Sequence, residues 1–184
     1  MKIILDLCGG TGSWSRNYSD AGYDVRVITL PQYDVCKYST KENIYGILAA
    51  PPCDHFSVSG AQYWGQKDID GRTIGGMKVL IACLRIIAQC QPVFWALENP
   101  VGRMRHLLGD PVMIFDPCDF GDPYTKKTLL WGRFNIPAKN RVDPVRVCSQ
   151  GSWLQKLGGK SEKTKMLRSI TPAGFSRAFF EANQ

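Results

Sequence analysis

Three apolar runs in this chain each stop at a glycine or proline step, and each carries an acidic or thiol side chain at or just beyond its end. Ile3-Ile4-Leu5-Asp6-Leu7 runs into Cys8-Gly9-Gly10-Thr11-Gly12. Tyr45-Gly46-Ile47-Leu48-Ala49-Ala50 stops at Pro51-Pro52-Cys53-Asp54-His55. Val93-Phe94-Trp95-Ala96-Leu97 reaches Glu98-Asn99-Pro100. Short apolar runs bounded by such breakers read as buried strands. Between them, residues 77–91 form the clearest helix, with Val79, Leu80, Cys83, Leu84, Ile86, Ile87 and Cys90 at helical spacing and Pro92 as its stop. Helices are also expected over 12–21 and 173–182, and strands over 24–29, 112–115 and 128–131. Continuous apolar strands alternating with helices predict an α/β fold, a mostly parallel twisted sheet with helices on both faces. Ligands of such sheets bind beyond the carboxyl ends of the strands. Asp6, the glycine turn, Cys53 and Glu98 all fall at such ends, so one site can hold them all.

The 184 residues suit one domain. The expected division is a catalytic core over 1–133, a basic irregular segment over 134–168, and a C-terminal helix over 169–184 packing back on the core. Residues 61–76, rich in glycine and following the Cys53 loop, read as a mobile lid. No run approaches the length of a membrane span, and the N-terminus goes straight into a strand pattern rather than a signal peptide. Seven cysteines without metal-ligand spacing predict reduced thiols, no metal and a cytoplasmic setting. The net charge is +7. Nearly all of it lies in 139–168, where Lys139, Arg141, Arg146, Lys156, Lys160, Lys163, Lys165 and Arg168 face only Asp143 and Glu162. This cluster fits a polyanionic partner or a solvated surface.

A lone cysteine is most often a core thiol, but the rigid Pro51-Pro52 step before Cys53 and the polar residues after it suit an aimed nucleophile. Glu98 ends an apolar strand, where a carboxyl holds its proton toward neutrality. His55 raises a Cys–His hydrolase pair, although such pairs join residues distant in sequence. The Gly9–Gly12 turn lets a ligand approach backbone, or serves a tight strand-to-helix turn alone. Gly158-Gly159-Lys160-Ser161 lacks the first glycine of a phosphate loop and reads as a basic loop.

These residues resemble the DNA cytosine-5 methyltransferases, in particular short phage and prophage forms. Asp6-Leu7-Cys8-Gly9-Gly10-Thr11-Gly12 looks like the first motif, which binds S-adenosylmethionine. Pro51-Pro52-Cys53 through Gly60 looks like the catalytic motif, and Glu98-Asn99-Pro100 like the Glu-Asn-Val motif. Tyr124-Thr125-Lys126-Lys127-Thr128 stands at the Gln-x-Arg-x-Arg motif. Ile170 through Ser176 looks like the last motif, which packs against the cofactor. The resemblance implies a Rossmann-like S-adenosylmethionine-dependent methyltransferase fold. Cys53 would attack C6 of cytosine and Glu98 would assist at N3. Asp6, Cys8, Gly9, Gly10, Thr11, Gly12, Asp34, Pro51 and Ser176 would hold the cofactor; Pro52, Asn99, Lys126 and Lys127 would meet the base. Lys156, Lys160, Lys163, Lys165 and Arg168 would meet DNA phosphates. The target would be a cytosine flipped out of duplex DNA.

The pattern also departs from the family. Cys8 replaces an aromatic residue, and Ile28-Thr29-Leu30 stands where an acidic residue should hold the cofactor ribose, leaving Asp34 as the substitute. Lysines or threonines occupy the arginine positions, and Gly174-Phe175-Ser176 replaces Gly-Asn-Ser. The target-recognition domain is replaced by the basic segment, too short for an independent domain. A partner protein or self-association would then supply specificity. The same chemistry on a free deoxycytidine nucleotide, and a catalytically idle DNA-binding subunit, are the alternatives.

Overall fold

The computed structural model describes residues 1–149, 151–157 and 161–184. Lys160 and the Gly158-Gly159-Lys160 stretch lie outside them. Six strands, β1 (Ile3–Leu7), β2 (Asp24–Ile28), β3 (Ile44–Ala49), β4 (Phe94–Pro100), β5 (Met113–Phe115) and β6 (Thr128–Arg133), form one sheet in the order β2-β1-β3-β4-β6-β5. β2, β1, β3 and β4 are parallel; β6 runs against both β4 and β5. The sheet is thus mostly parallel, as expected. The strand order reverses at β1, whose neighbours are β2 and β3, and a crevice opens beyond their carboxyl ends.

Helices cover both faces because the strands bury both rows of side chains. On one face Leu5, Leu7, Ile47, Ala49, Leu97, Leu129 and Trp131 pack with Leu80, Cys83, Ile86 and Ile87 of α3 (Arg72–Cys90) and Met104 of α4 (Met104–Leu108). On the other, Ile4, Leu48, Phe94, Ala96, Phe115 and Leu130 pack with Tyr18 of α1 (Arg16–Asp20) and Phe175 and Phe179 of α7 (Ala173–Ala182). The second face is aromatic: Phe175 stacks on Phe115 at 4.1 Å between centroids, and Trp14 meets Phe179 edge-on at 5.5 Å.

Four expectations need correction. The first helix begins at Arg16 rather than residue 12, because Cys8, Gly10 and Gly12 have φ of 59°, 54° and 69° and the chain turns in the left-handed region before it can wind. Residues 61–76 are helical rather than irregular: a 3-10 turn over Val58–Tyr63, α2 (Trp64–Ile69), and the first turns of α3. Gly76 there answers a close approach, since a Cβ would lie 2.8 Å from the His55 ring. Third, the basic segment carries two short helices, α5 (Trp153–Lys156) and α6 (Glu162–Ser169). Ser152 and Gln155 close a capping box on α5, and Ser161 caps α6. Finally, α3 has 19 residues, with a mean hydropathy of 1.5 over its most apolar 18, long and apolar enough to cross a membrane by length and composition alone. One face of it lies in the sheet core.

Candidate active site

Asp6 and Leu7 end β1, and the chain turns through Cys8–Ser15 before α1. Asp6 is fully buried, and its Oδ2 accepts a 2.6 Å hydrogen bond from the Ser15 hydroxyl. Its Oδ1 has no partner among the described residues. Burial pushes this carboxyl up to about 6, against the Ser15 hydrogen bond. Gly9 passes over the carboxylate so closely that a Cβ would lie 2.3 Å from it. Cys8 is half-buried; a hydrogen bond with the Cys83 thiol holds it below its usual value, while the Asp6 and Asp34 charges act the other way. Asp6, Cys8 and Asp34 therefore share one electrostatic neighbourhood. Asp34 also lines a surface cleft of about 530 Å³ beyond the end of β2, with Leu30, Tyr33, Lys37 and Tyr38.

Ser176 does not face this cleft. It is buried, its hydroxyl lies within hydrogen-bond distance of the Ser13 and Trp14 carbonyls (3.2 and 3.0 Å), and it accepts from Asn17 Nδ2 at 2.7 Å. It pins the turn from beneath. Ser15 went unnoticed in the sequence, although a hydroxyl three residues past a glycine turn is a fair signal for such a contact.

β3 leaves the sheet before β4 does. Their pairing ends at Ala49 and Leu97, while Glu98, Asn99 and Pro100 continue against β6. The Ala50 amide still reaches the Leu7 carbonyl at 2.9 Å, which brings the Pro51 loop beside the glycine turn. Where the β3–β4 ladder ends, the buried Asn99 side chain replaces it, donating to the Pro51 carbonyl at 3.0 Å. The Asn99 amide nitrogen thus holds the loop, while its buried Oδ1 has no partner among the described residues. Pro51 is buried and Pro52 exposed.

Cys53 opens a 3-10 turn over Cys53–His55, with the Phe56 and Ser57 amides on its carbonyl at 3.0 and 2.8 Å. It is accessible, yet sits in a concavity whose burial pushes the thiol up to about 11, aided by the Glu98 charge and opposed by Lys126. Burial also raises the Glu98 carboxyl, again against Lys126. Cys53, Glu98 and Lys126 thus act on one another, one cation beside two potential anions.

Lys126 and Lys127, which the sequence left interchangeable, part company. Lys127 leans to Asp116, 3.9 Å away, whereas the Lys126 ammonium reaches the Ile170 carbonyl at 3.5 Å on the site's rim. No Cys–His pair forms: the His55 ring packs against α3, with Nε2 3.3 Å from Asp54.

The basic segment is partly neutralised. Lys139 and Arg141 pair with Asp119 (3.1 and 3.2 Å) and Lys165 with Glu162 (2.7 Å), while Arg146 and Arg168 donate to backbone carbonyls. Lys156 and Lys163 are exposed without an ion-pair partner among the described residues. No cluster of metal-ligating side chains occurs among the described residues.

No protein-family model and no curated protein matches the chain. Among solved structures, the chain is similar to an E. coli protein described as a DNA modification methyltransferase encoded within a prophage, with a TM-score of 0.53 and 21% identity over 79% of this chain. The chain spans about half of that protein's length, 53%. At this identity the likeness is one of fold: a Rossmann-like methyltransferase fold, in keeping with the sheet order and the crevice beyond β1.

Proposed function

We propose that the chain transfers a methyl group from S-adenosylmethionine to C5 of cytosine in DNA, through a covalent adduct of Cys53. The observation that carries this reading is the meeting of an accessible thiol, a half-buried carboxyl and one lysine at the carboxyl ends of β3 and β4. The fold and the DNA-modifying description of the structural neighbour support it.

The residues at the end of β1 fit the cofactor. A buried carboxylate oxygen without a partner, a turn with no room for a side chain at Gly9, and a cleft carrying Asp34 are features of a site that grips a polar ligand by its backbone and carboxylates. Asp6, Cys8 through Gly12, and Asp34 would hold it there, and Ser176 would brace the turn. Once bound, the cofactor supplies an electrophilic methyl group.

Cys53 and Glu98 repel each other as anions, and burial adds to this, so at neutral pH the thiol keeps its proton. Moving that proton from the Cys53 thiol to Glu98 creates the thiolate and the carboxylic acid together. The thiolate forms a bond to C6 of cytosine, and electron density moves to C5 and N3. Protonated Glu98 donates to N3 as charge develops. Lys126 is placed to steady the anionic state. After substitution at C5, solvent water takes the C5 proton, the C5–C6 double bond re-forms, the sulfur–C6 bond breaks with its electron pair going to Cys53, and N3 returns its proton to Glu98.

The pairing of Lys139, Arg141 and Lys165 within the chain leaves fewer cations for phosphate, and this favours a second reading, the same chemistry on a free deoxycytidine nucleotide. Tritiated S-adenosylmethionine offered with duplex DNA, single-stranded DNA, RNA and dCMP tests both. Label recovered as 5-methylcytosine in DNA is expected. Label only in dCMP moves the enzyme to nucleotides. No label with any substrate, together with no calorimetric heat from the cofactor, overturns both readings and leaves an idle subunit.

A further inference from the structure

Three successive carbonyls of the Cys53 loop are each held by a donor from outside it. Lys67 of α2 donates to the Asp54 carbonyl. Arg103 Nε donates to the His55 carbonyl at 2.8 Å, and the Arg103 amide to the Phe56 carbonyl at 2.9 Å. Arg103 stands just past the Glu98 strand and holds two of the three. Its other guanidinium nitrogens reach different elements: Nη1 to Asp68 of α2 and Nη2 to Thr73 of α3, both at 2.8 Å. The Trp64 ring lies 4.9 Å beneath the guanidinium carbon. The side chain is only 17% exposed.

The backbone repeats the same clasp. Val101 to Arg103 lies alongside Phe56 to Val58, with Ser57 bridged to Gly102 and the Val58 amide 2.9 Å from the Val101 carbonyl. The approach leaves no room for a side chain, because a Cβ on Gly102 would lie 1.9 Å from the Phe56 carbonyl oxygen.

We propose that Arg103 is the positioning residue of the site: its guanidinium fork fixes the Cys53 loop against α2 and α3, and so sets the thiol relative to Glu98. The proposal rests on the reading of Cys53 as the reacting thiol. Arginine suits the task because its nitrogens lie in one plane at fixed angles and can serve three acceptors at once; lysine keeps the charge and offers one point. Nothing places Arg103 on the substrate, so its effect passes through the loop.

The test compares Arg103→Lys, Arg103→Ala and the control Arg105→Ala, which removes only an exposed pair with Asp110. The first readout is iodoacetamide alkylation of Cys53, followed by peptide mass. A loosened loop frees the thiol from burial and from the Glu98 charge, so both Arg103 variants should alkylate about tenfold faster while Arg105→Ala matches wild type. The second is methyl transfer. Loss of alignment should lower kcat about 100-fold with the KM for S-adenosylmethionine unchanged. Methylguanidine should restore part of the Arg103→Ala rate by filling the vacated fork site.

Alkylation unchanged in both variants, or changed in Arg103→Ala but not in Arg103→Lys, overturns the proposal. A wild-type chain that transfers no methyl group would sink the proposed function alone, because the alkylation comparison needs only the thiol and still decides the role of Arg103.

Discussion

Glu98→Gln should push two properties of Cys53 in opposite directions. The Cys53 thiol stands at about 11, raised first by burial and second by the Glu98 charge. Glutamine keeps the shape and removes the charge, so the thiol should come down but not reach the ordinary value near 8.5. The Glu98 share is the smaller part of the rise, so the drop is at most about one pH unit. At a pH below both values, one unit means about tenfold more thiolate; a less basic thiolate is also a weaker nucleophile, and the net gain is about threefold in reactivity. Methyl transfer should move the other way, falling about 100-fold or more with the loss of the N3 proton donor. The assay is paired, with peptide-mapped alkylation of Cys53 and tritium transfer measured on the same preparations across pH. In the wild type, transfer should fall at low pH as Glu98 and Cys53 are both protonated, and again above about 11 as both lose their protons. The glutamine variant should lose the alkaline fall and rise with pH until the Cys53 thiol ionises. Equal or slower alkylation in Glu98→Gln would show that the two groups do not share a proton. Near-normal transfer would remove Glu98 from the chemistry.

Asp6 supplies a stability test. Its native value of about 6 lies above the ordinary 3.8, so the native state holds the extra proton in this window and the buried charge costs stability as pH rises. Wild type minus Asp6→Asn, from urea titrations, should therefore decline by about 3 kcal/mol between about pH 4 and 7; a flat difference would refute the assignment. Gly102→Ala forces the Phe56 backbone to move and should cost about 1–3 kcal/mol in urea unfolding while changing Cys53 alkylation. An unchanged midpoint would mean that the clasp yields freely. Phe175→Ala removes a fully packed ring stacked on Phe115 and should cost about 3–5 kcal/mol; a loss below about 1 kcal/mol would show that the aromatic face closes over the gap.

The sheet was legible because its strands are short apolar runs cut by glycine and proline, a local signal that burial on both faces reinforces. The placing of Asp6, Cys53 and Glu98 at or just beyond the carboxyl ends of parallel strands followed from strand direction alone. Elsewhere the physics is long-range. Glycines 75 and 76 suggested mobility, but the His55 ring explains Gly76 from across the fold. Asn99 and Ser176 carried motif identities that pointed at ligands, while their side chains hold backbone carbonyls separated from them by 48 and more than 160 residues. The choice between Lys126 and Lys127 depended on where Asp116 would lie. Arg103 gave no signal as one arginine among many, since its three partners sit on separate elements. In the basic segment, formal charge could not show the internal pairing of Lys139 and Arg141 with Asp119.

The long reach of Ser176 has a consequence for the order of assembly. The turn after β1 is synthesised well over a hundred residues before its brace, which reaches Asn17 and the Ser13 and Trp14 carbonyls from residue 176. Contacts of this separation close late, because the intervening chain must first surrender its freedom. On the ribosome the glycine turn would wait, unfinished, until α7 had left the exit tunnel. Competence to grip a ligand at the glycine turn would thus arise only with α7 in place, and a nascent chain would stay inert there until that helix had packed.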